Sequence, residues 1–138
     1  MNFLGTLMED LEFGSAGSED TSRAVLNLCG SIHPRRAAFV GDDVFTPVMM
    51  RERFSCNVTA AYSDEVRALK AAEAGLDARR VQLFEIPETE GGYDLLWYNG
   101  VVEFDGVDRR LAQIRQQTAK GGKAVFRTLC WLIEPSPD

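Results

Sequence analysis

Tyr93-Asp94-Leu95-Leu96-Trp97-Tyr98-Asn99-Gly100 and, further along the chain, Lys120-Gly121-Gly122-Lys123-Ala124-Val125-Phe126 decide the fold. The first is a nearly continuous apolar run ending in polar and small residues, the pattern of a strand buried on both faces. The second leaves a helix through paired glycines and enters another apolar run. Between them, residues 108–118 set Leu111 and Ile114 at helical spacing, which predicts strand, crossover helix and strand. Open α/β sheets bind ligands just beyond the carboxyl ends of their strands, so residues 97–103 fall where a site belongs.

The same alternation runs outward from this pair. Ala37-Ala38-Phe39-Val40 is a short apolar strand closed by Gly41, and Thr46-Pro47 opens a helix because proline tolerates the first turn. Residues 57–62 are rich in strand formers; Ser63-Asp64-Glu65 then caps a helix whose Val66, Leu69, Ala72 and Leu76 form an apolar stripe. Residues 80–86 alternate as a more exposed strand before Pro87, and Glu90-Gly91-Gly92 turns into the Tyr93 strand. The final strand is expected over 123–132, after Gly121-Gly122 ends the helix. These elements predict a three-layer, Rossmann-like α/β domain at 36–138, its mainly parallel five-stranded sheet in the order 3-2-1-4-5. Residues 1–35 read as a helical preface, with apolar spacing over 3–11, a Gly/Ser break, and a second helix over 19–29.

Composition bounds the function. A chain of 138 residues with 45% hydrophobic content suits one domain. Its 21 acidic against 15 basic residues give a net charge of -6, which opposes attraction to phosphate backbones, so no nucleic-acid partner is expected. Cys29, Cys56 and Cys130 form no CxxC pair and suit a reducing cytoplasm. The apolar stretch at 4–11 is broken by Gly5, Glu9 and Asp10, which gives neither a signal peptide nor a membrane span. The expectation is a cytoplasmic protein without membrane contact.

Taken together, 93–104, Lys120-Gly121-Gly122-Lys123 and 58–65 resemble the fourth-strand motif, the glycine turn before strand five, and the second strand of the class I, Rossmann-like S-adenosylmethionine-dependent methyltransferases. The resemblance covers 36–132. It implies S-adenosylmethionine as a possible cofactor, held near Gly41, Asp42, Asp43, Ala61, Trp97 and Asn99. The family usually follows its first strand with alternating glycines, whereas Asp42 and Asp43 follow Gly41 here. It commonly ends its second strand with an acid that accepts from the ribose hydroxyls; alignment on Ser63 puts Ala61 there, and Asp64 substitutes only if the loop shifts. The usual domain carries two more strands, so the resemblance reads as a truncated, degenerate member.

Asp42 and Asp43 have two further readings, as caps of the Thr46-Pro47 helix or as solvated surface, and two adjacent carboxylates are too few for a metal site. Trp97 is either a ligand surface or core. Glu103 follows the fourth strand and is the candidate for orienting or deprotonating an acceptor, against a solvent-facing acid. His33 and the cysteines form no nucleophile-and-base set; methyl transfer needs none. Three functions follow: a non-catalytic binding or regulatory module with weakened or lost cofactor binding, an active methyltransferase acting on a small molecule or protein, or a structural subunit completing a partner. The apolar run at 124–133 would lie at an exposed sheet edge, which predicts a homodimer through the C-terminal strand.

Overall fold

The computed structural model describes residues 19–30, 32–82, 84–100 and 106–126. The helix expected at 3–11, Glu103, and the edge residues beyond Phe126 lie outside this set. In chain order the elements are α1 (Glu19–Leu28), β1 (Arg36–Val40), α2 (Phe45–Phe54), β2 (Asn57–Tyr62), α3 (Glu65–Glu73), β3 (Asp77–Arg80), β4 (Tyr93–Tyr98), α4 (Val107–Gln117) and β5 (Thr118–Phe126). The sheet runs β3-β2-β1-β4-β5, and all four neighbouring pairs are parallel.

Burial on both faces explains why β1, β2 and β4 were readable as apolar runs. One face carries Phe39, Ala60, Tyr62, Leu95 and Trp97, and packs against Leu26 and Cys29 of the α1 region, Met50 of α2 and Ala71 of α3. The other carries Ala38, Val40, Ala61, Leu96 and Tyr98, and packs against Ile86 and Ile114, the latter on α4. Helices on both faces make three layers, and alanines at 37, 38, 60 and 61 let the helices lie close to the central strands. Residues 19–29 share the sheet's core, because Leu26 and Cys29 belong to the first cluster.

Three elements differ from expectation. The third strand lies at Asp77–Arg80 rather than 80–86. Its ladder with β2 begins at Thr59 opposite Asp77 and ends at Tyr62 opposite Arg80, so backbone pairing rather than burial defines it. The alternation at 80–86 serves the crossover instead, where Ile86 is buried and Val81 and Phe84 pack beside it. The last strand starts at Thr118, directly after α4, and Gly121-Gly122 lie inside it as an irregularity: Thr118 pairs with Tyr93, but Lys123 already pairs with Leu95. Gly121 takes φ +79°, and a Cβ on Gly122 would stand 2.9–3.0 Å from three carbonyl oxygens. Finally, Val66 and Leu69 of the predicted stripe are 59% and 61% exposed. The cap sets α3's rotation, Asp64 Oδ1 accepting the Val66 N–H at 3.1 Å, and the small Ala68 and Ala71 turn inward.

Candidate functional site

Strand order reverses between β1 and β4, and the chain leaves β1 in one direction and β4 in the other, so a crevice opens beyond their carboxyl ends. Two backbone bonds carry the ladder one step past the strands. The Gly41 N–H donates to the Ala61 carbonyl at 3.2 Å and the Asn99 N–H to the Val40 carbonyl at 2.6 Å. Gly41, Ala61 and Asn99 thus meet at the end of the sheet, as the sequence placed them. Gly41 is required by crowding, since a Cβ would meet the Phe39 ring at 2.7 Å and the Asn99 Cβ at 2.9 Å.

The two aspartates after Gly41 have different environments. Asp42 is half-buried, at the mouth of the turn, whereas Asp43 is 1% exposed. Asp43 Oδ2 accepts the Thr46 N–H at 2.7 Å, in the first turn of α2, and Oδ1 accepts from Asn99 Nδ2 at 3.4 Å. Its carboxylate therefore ties the start of α2 to the end of β4. Burial raises the Asp43 pKa above the ordinary carboxylate range, while the bonds from Thr46 and Asn99 oppose that rise. The Thr46 hydroxyl lies 3.0 Å from that of Ser22, which adds α1 to the cluster.

Tyr62 is the residue that sequence reading passed over. It is the last residue of β2, fully buried, and its hydroxyl donates to the Asp43 carbonyl at 2.9 Å. Burial, with the Asp43 charge second, pushes its pKa far upward, so it is a neutral donor at any ordinary pH. An aromatic at a strand end reads in sequence as core, which hid it; its place one step beyond Ala61 was the available signal. Trp97 is 4% exposed and sits in the core cluster beneath α1 and α2. Asp64 is occupied as the α3 cap and by Arg67 at 3.4 Å. Among the described residues no group of three or more His, Cys, Asp or Glu side chains is placed to hold a metal ion.

No family profile and no curated protein matches the sequence. Solved structures do match. A S-adenosylmethionine-dependent methyltransferase from Geobacter sulfurreducens, in complex with S-adenosyl-L-homocysteine, superimposes with a TM-score of 0.72 at 10% identity over 91% of this chain and 55% of its own. YjhP from E. coli gives 0.67 at 12% identity over 89% and 54%. A geranyl diphosphate methyltransferase in complex with GPP and sinefungin gives 0.66 at 21% identity over 81% and 46%. The parallel five-stranded α/β fold is the one this chain shares with these structures. At these identities the likeness is one of fold, and the chain spans about half the length of the structures it matches.

Gly41 keeps the turn close to the sheet, and the half-buried Asp42 follows it. At the end of β2 the Ala61 carbonyl accepts from the Gly41 N–H, the Tyr62 hydroxyl donates to the Asp43 carbonyl, and Asp64 Oδ1 caps α3.

Proposed function

We propose that this chain is a methyltransferase-type domain that takes S-adenosylmethionine at the crevice between the ends of β1 and β4, with methyl transfer to a small molecule or protein group as its reaction class. The observation that carries this reading is the parallel β3-β2-β1-β4-β5 sheet, shared with methyltransferases whose structures hold S-adenosyl-L-homocysteine or sinefungin. When bound, the cofactor supplies an electrophilic methyl group on sulfur. The protein's part is to orient it: Gly41 through its backbone, Asp42 through its charge, and Asn99 by holding the end of β4 against β1. Glu103 is the proposed group for positioning or deprotonating the acceptor.

A second reading, a module whose cofactor binding is weakened or lost, is favoured by the Asp43–Tyr62 cluster. A buried carboxylate now occupies the turn in which alternating glycines are usual, and a tyrosine closes the end of β2. Calorimetry of the purified protein with S-adenosylmethionine and S-adenosyl-L-homocysteine tests the two. Saturable binding of both, accompanied by methyl-transfer turnover, is the result expected of the enzyme. Absence of heat with either cofactor would replace it with the silent module.

A further inference from the structure

We propose that the opposite, amino-terminal end of the sheet carries a binding site for a phosphate-class anion, in a cleft lined by Arg35, Arg36, Asn57, Thr59, Arg79 and Tyr93. The cleft exists because the connection from β3 to β4 has no helix among its described residues, so the amino-terminal halves of β2 and β3 are left uncovered on that face. Asn57, Asp77 and Arg79 are accordingly exposed where a crossover helix would bury them. In an acidic chain of net charge -6, three arginines line one small space whose lining holds a single acidic residue, Glu88. Its volume of about 150 Å³ fits a tetrahedral anion with its water, and is too small for a nucleotide.

Two of the three arginines have polar partners that an anion would share or displace, and the Thr59 hydroxyl donates to Asp77 Oδ2 at 3.1 Å. Arg36 is held in place, its guanidinium donating to Thr89 Oγ1 at 3.3 Å and to the Glu90 carbonyl at 2.5 Å through one nitrogen. Asp94, the nearest buried-side acid, spends Oδ2 on the backbone N–H groups of Arg35 and Arg36, at 2.8 and 3.1 Å. Arg79 meets Asp77 at 3.2 Å, but both side chains are more than half exposed, and an exposed pair of this kind yields readily to a better-placed dianion. Burial raises the Tyr93 pKa, with the charges of Arg79 and Arg36 pulling it down and that of Asp77 adding to the rise. The Tyr93 hydroxyl donates to the Pro87 carbonyl at 2.6 Å, so the ring forms a fixed wall. Planar guanidinium forks match the several oxygens of a phosphoryl group better than they match a single acceptor.

The test is calorimetric titration of the full chain with inorganic phosphate against chloride at matched ionic strength, with 31P line broadening as a second readout. Saturable binding is expected, weakened roughly tenfold by Arg79→Gln and by Arg35→Gln, the loss of one charge-assisted bond each. Arg53→Gln, on exposed α2 surface, is expected to leave it unchanged. Should Arg79→Gln fail to fold by circular dichroism, Arg35→Gln carries the same reading. A phosphomonoester such as glycerol phosphate binding more tightly than inorganic phosphate would identify a phosphorylated metabolite as the source; the reverse order would identify the free ion. Non-saturating heats, or saturable binding that both arginine variants retain at full strength, would overturn the proposal.

Discussion

Asp43 is a buried acid whose charge is offset by hydrogen bonds, chiefly from Thr46, and this makes its contribution to stability depend on pH in a definite direction. Its folded-state pKa is raised above the ordinary value of 3.8, chiefly by burial. The folded protein therefore binds this proton more tightly than the unfolded chain does. The stability so gained is complete below about 3.8 and is lost as pH rises through the folded-state value. Asparagine has the same shape, can accept from the Thr46 N–H through its oxygen, and does not titrate. The stability of Asp43→Asn relative to the native chain is expected to increase from pH 3 to pH 7, read by urea denaturation at both ends of that window. A difference that stays flat or falls with pH would show that the carboxylate is better solvated than its burial implies.

At the scale of elements, the glycine pair in β5 should be sensitive to substitution and the outer face of α3 tolerant of it. Gly122→Ala brings a methyl group against the Ala119, Asp94 and Tyr93 carbonyl oxygens and is expected to cost about 1–3 kcal/mol through forced backbone shifts. Leu69→Lys, on the exposed side of α3, is expected to stay within about 0.5 kcal/mol of the native chain. Urea midpoints measured side by side check both, and a Leu69→Lys loss as large as that of Gly122→Ala would contradict the exposed position of that face. These two cases also mark what was readable in the sequence. β1, β2 and β4 are buried on both faces and announce themselves as apolar runs, so the order of the sheet followed. β3 reads Asp77-Ala78-Arg79-Arg80 and the start of β5 reads Thr118-Ala119-Lys120-Gly121; such strands exist by backbone pairing with one neighbour, which leaves little trace in side-chain polarity. The rotation of α3 depends on its cap and on alanines fitting against the sheet, and the larger Val66 and Leu69 concealed it. At the carboxyl end of the sheet, the positions of Gly41 and Asn99 were legible because strand ends fix their neighbours. The different burial of Asp42 and Asp43 was not, because adjacent acids look alike until the turn is folded.

For the whole molecule, the strand order leaves β5 on one border of the sheet and β3 on the other, and the two borders differ in how they are protected. β3 is four residues long and displays Asp77, Arg79 and Arg80, charges that discourage a further strand. β5 is nine residues long, and among the described residues its protection lies in its first half, where Lys120 and the glycine irregularity interrupt the pairing surface. Its second half ends in Phe126, 43% exposed, beside a groove of about 620 Å³ whose apolar lining includes Leu111, Ile114 and Ala124. A two-fold copy pairing antiparallel along Ala124, Val125 and Phe126 would satisfy the open backbone groups and cover this groove with the same residues from the other chain. We therefore predict a homodimer through β5. With each chain at a net charge of -6, screening by salt should tighten it rather than weaken it. Light scattering across a concentration series should give twice the 15.3 kDa chain mass, with the dimer fraction rising with ionic strength. Phe126→Glu should return the chain to monomer while leaving its circular dichroism unchanged. A mass of 15.3 kDa at every concentration and salt would refute the assembly, and a dimer that survives Phe126→Glu would move the interface away from β5.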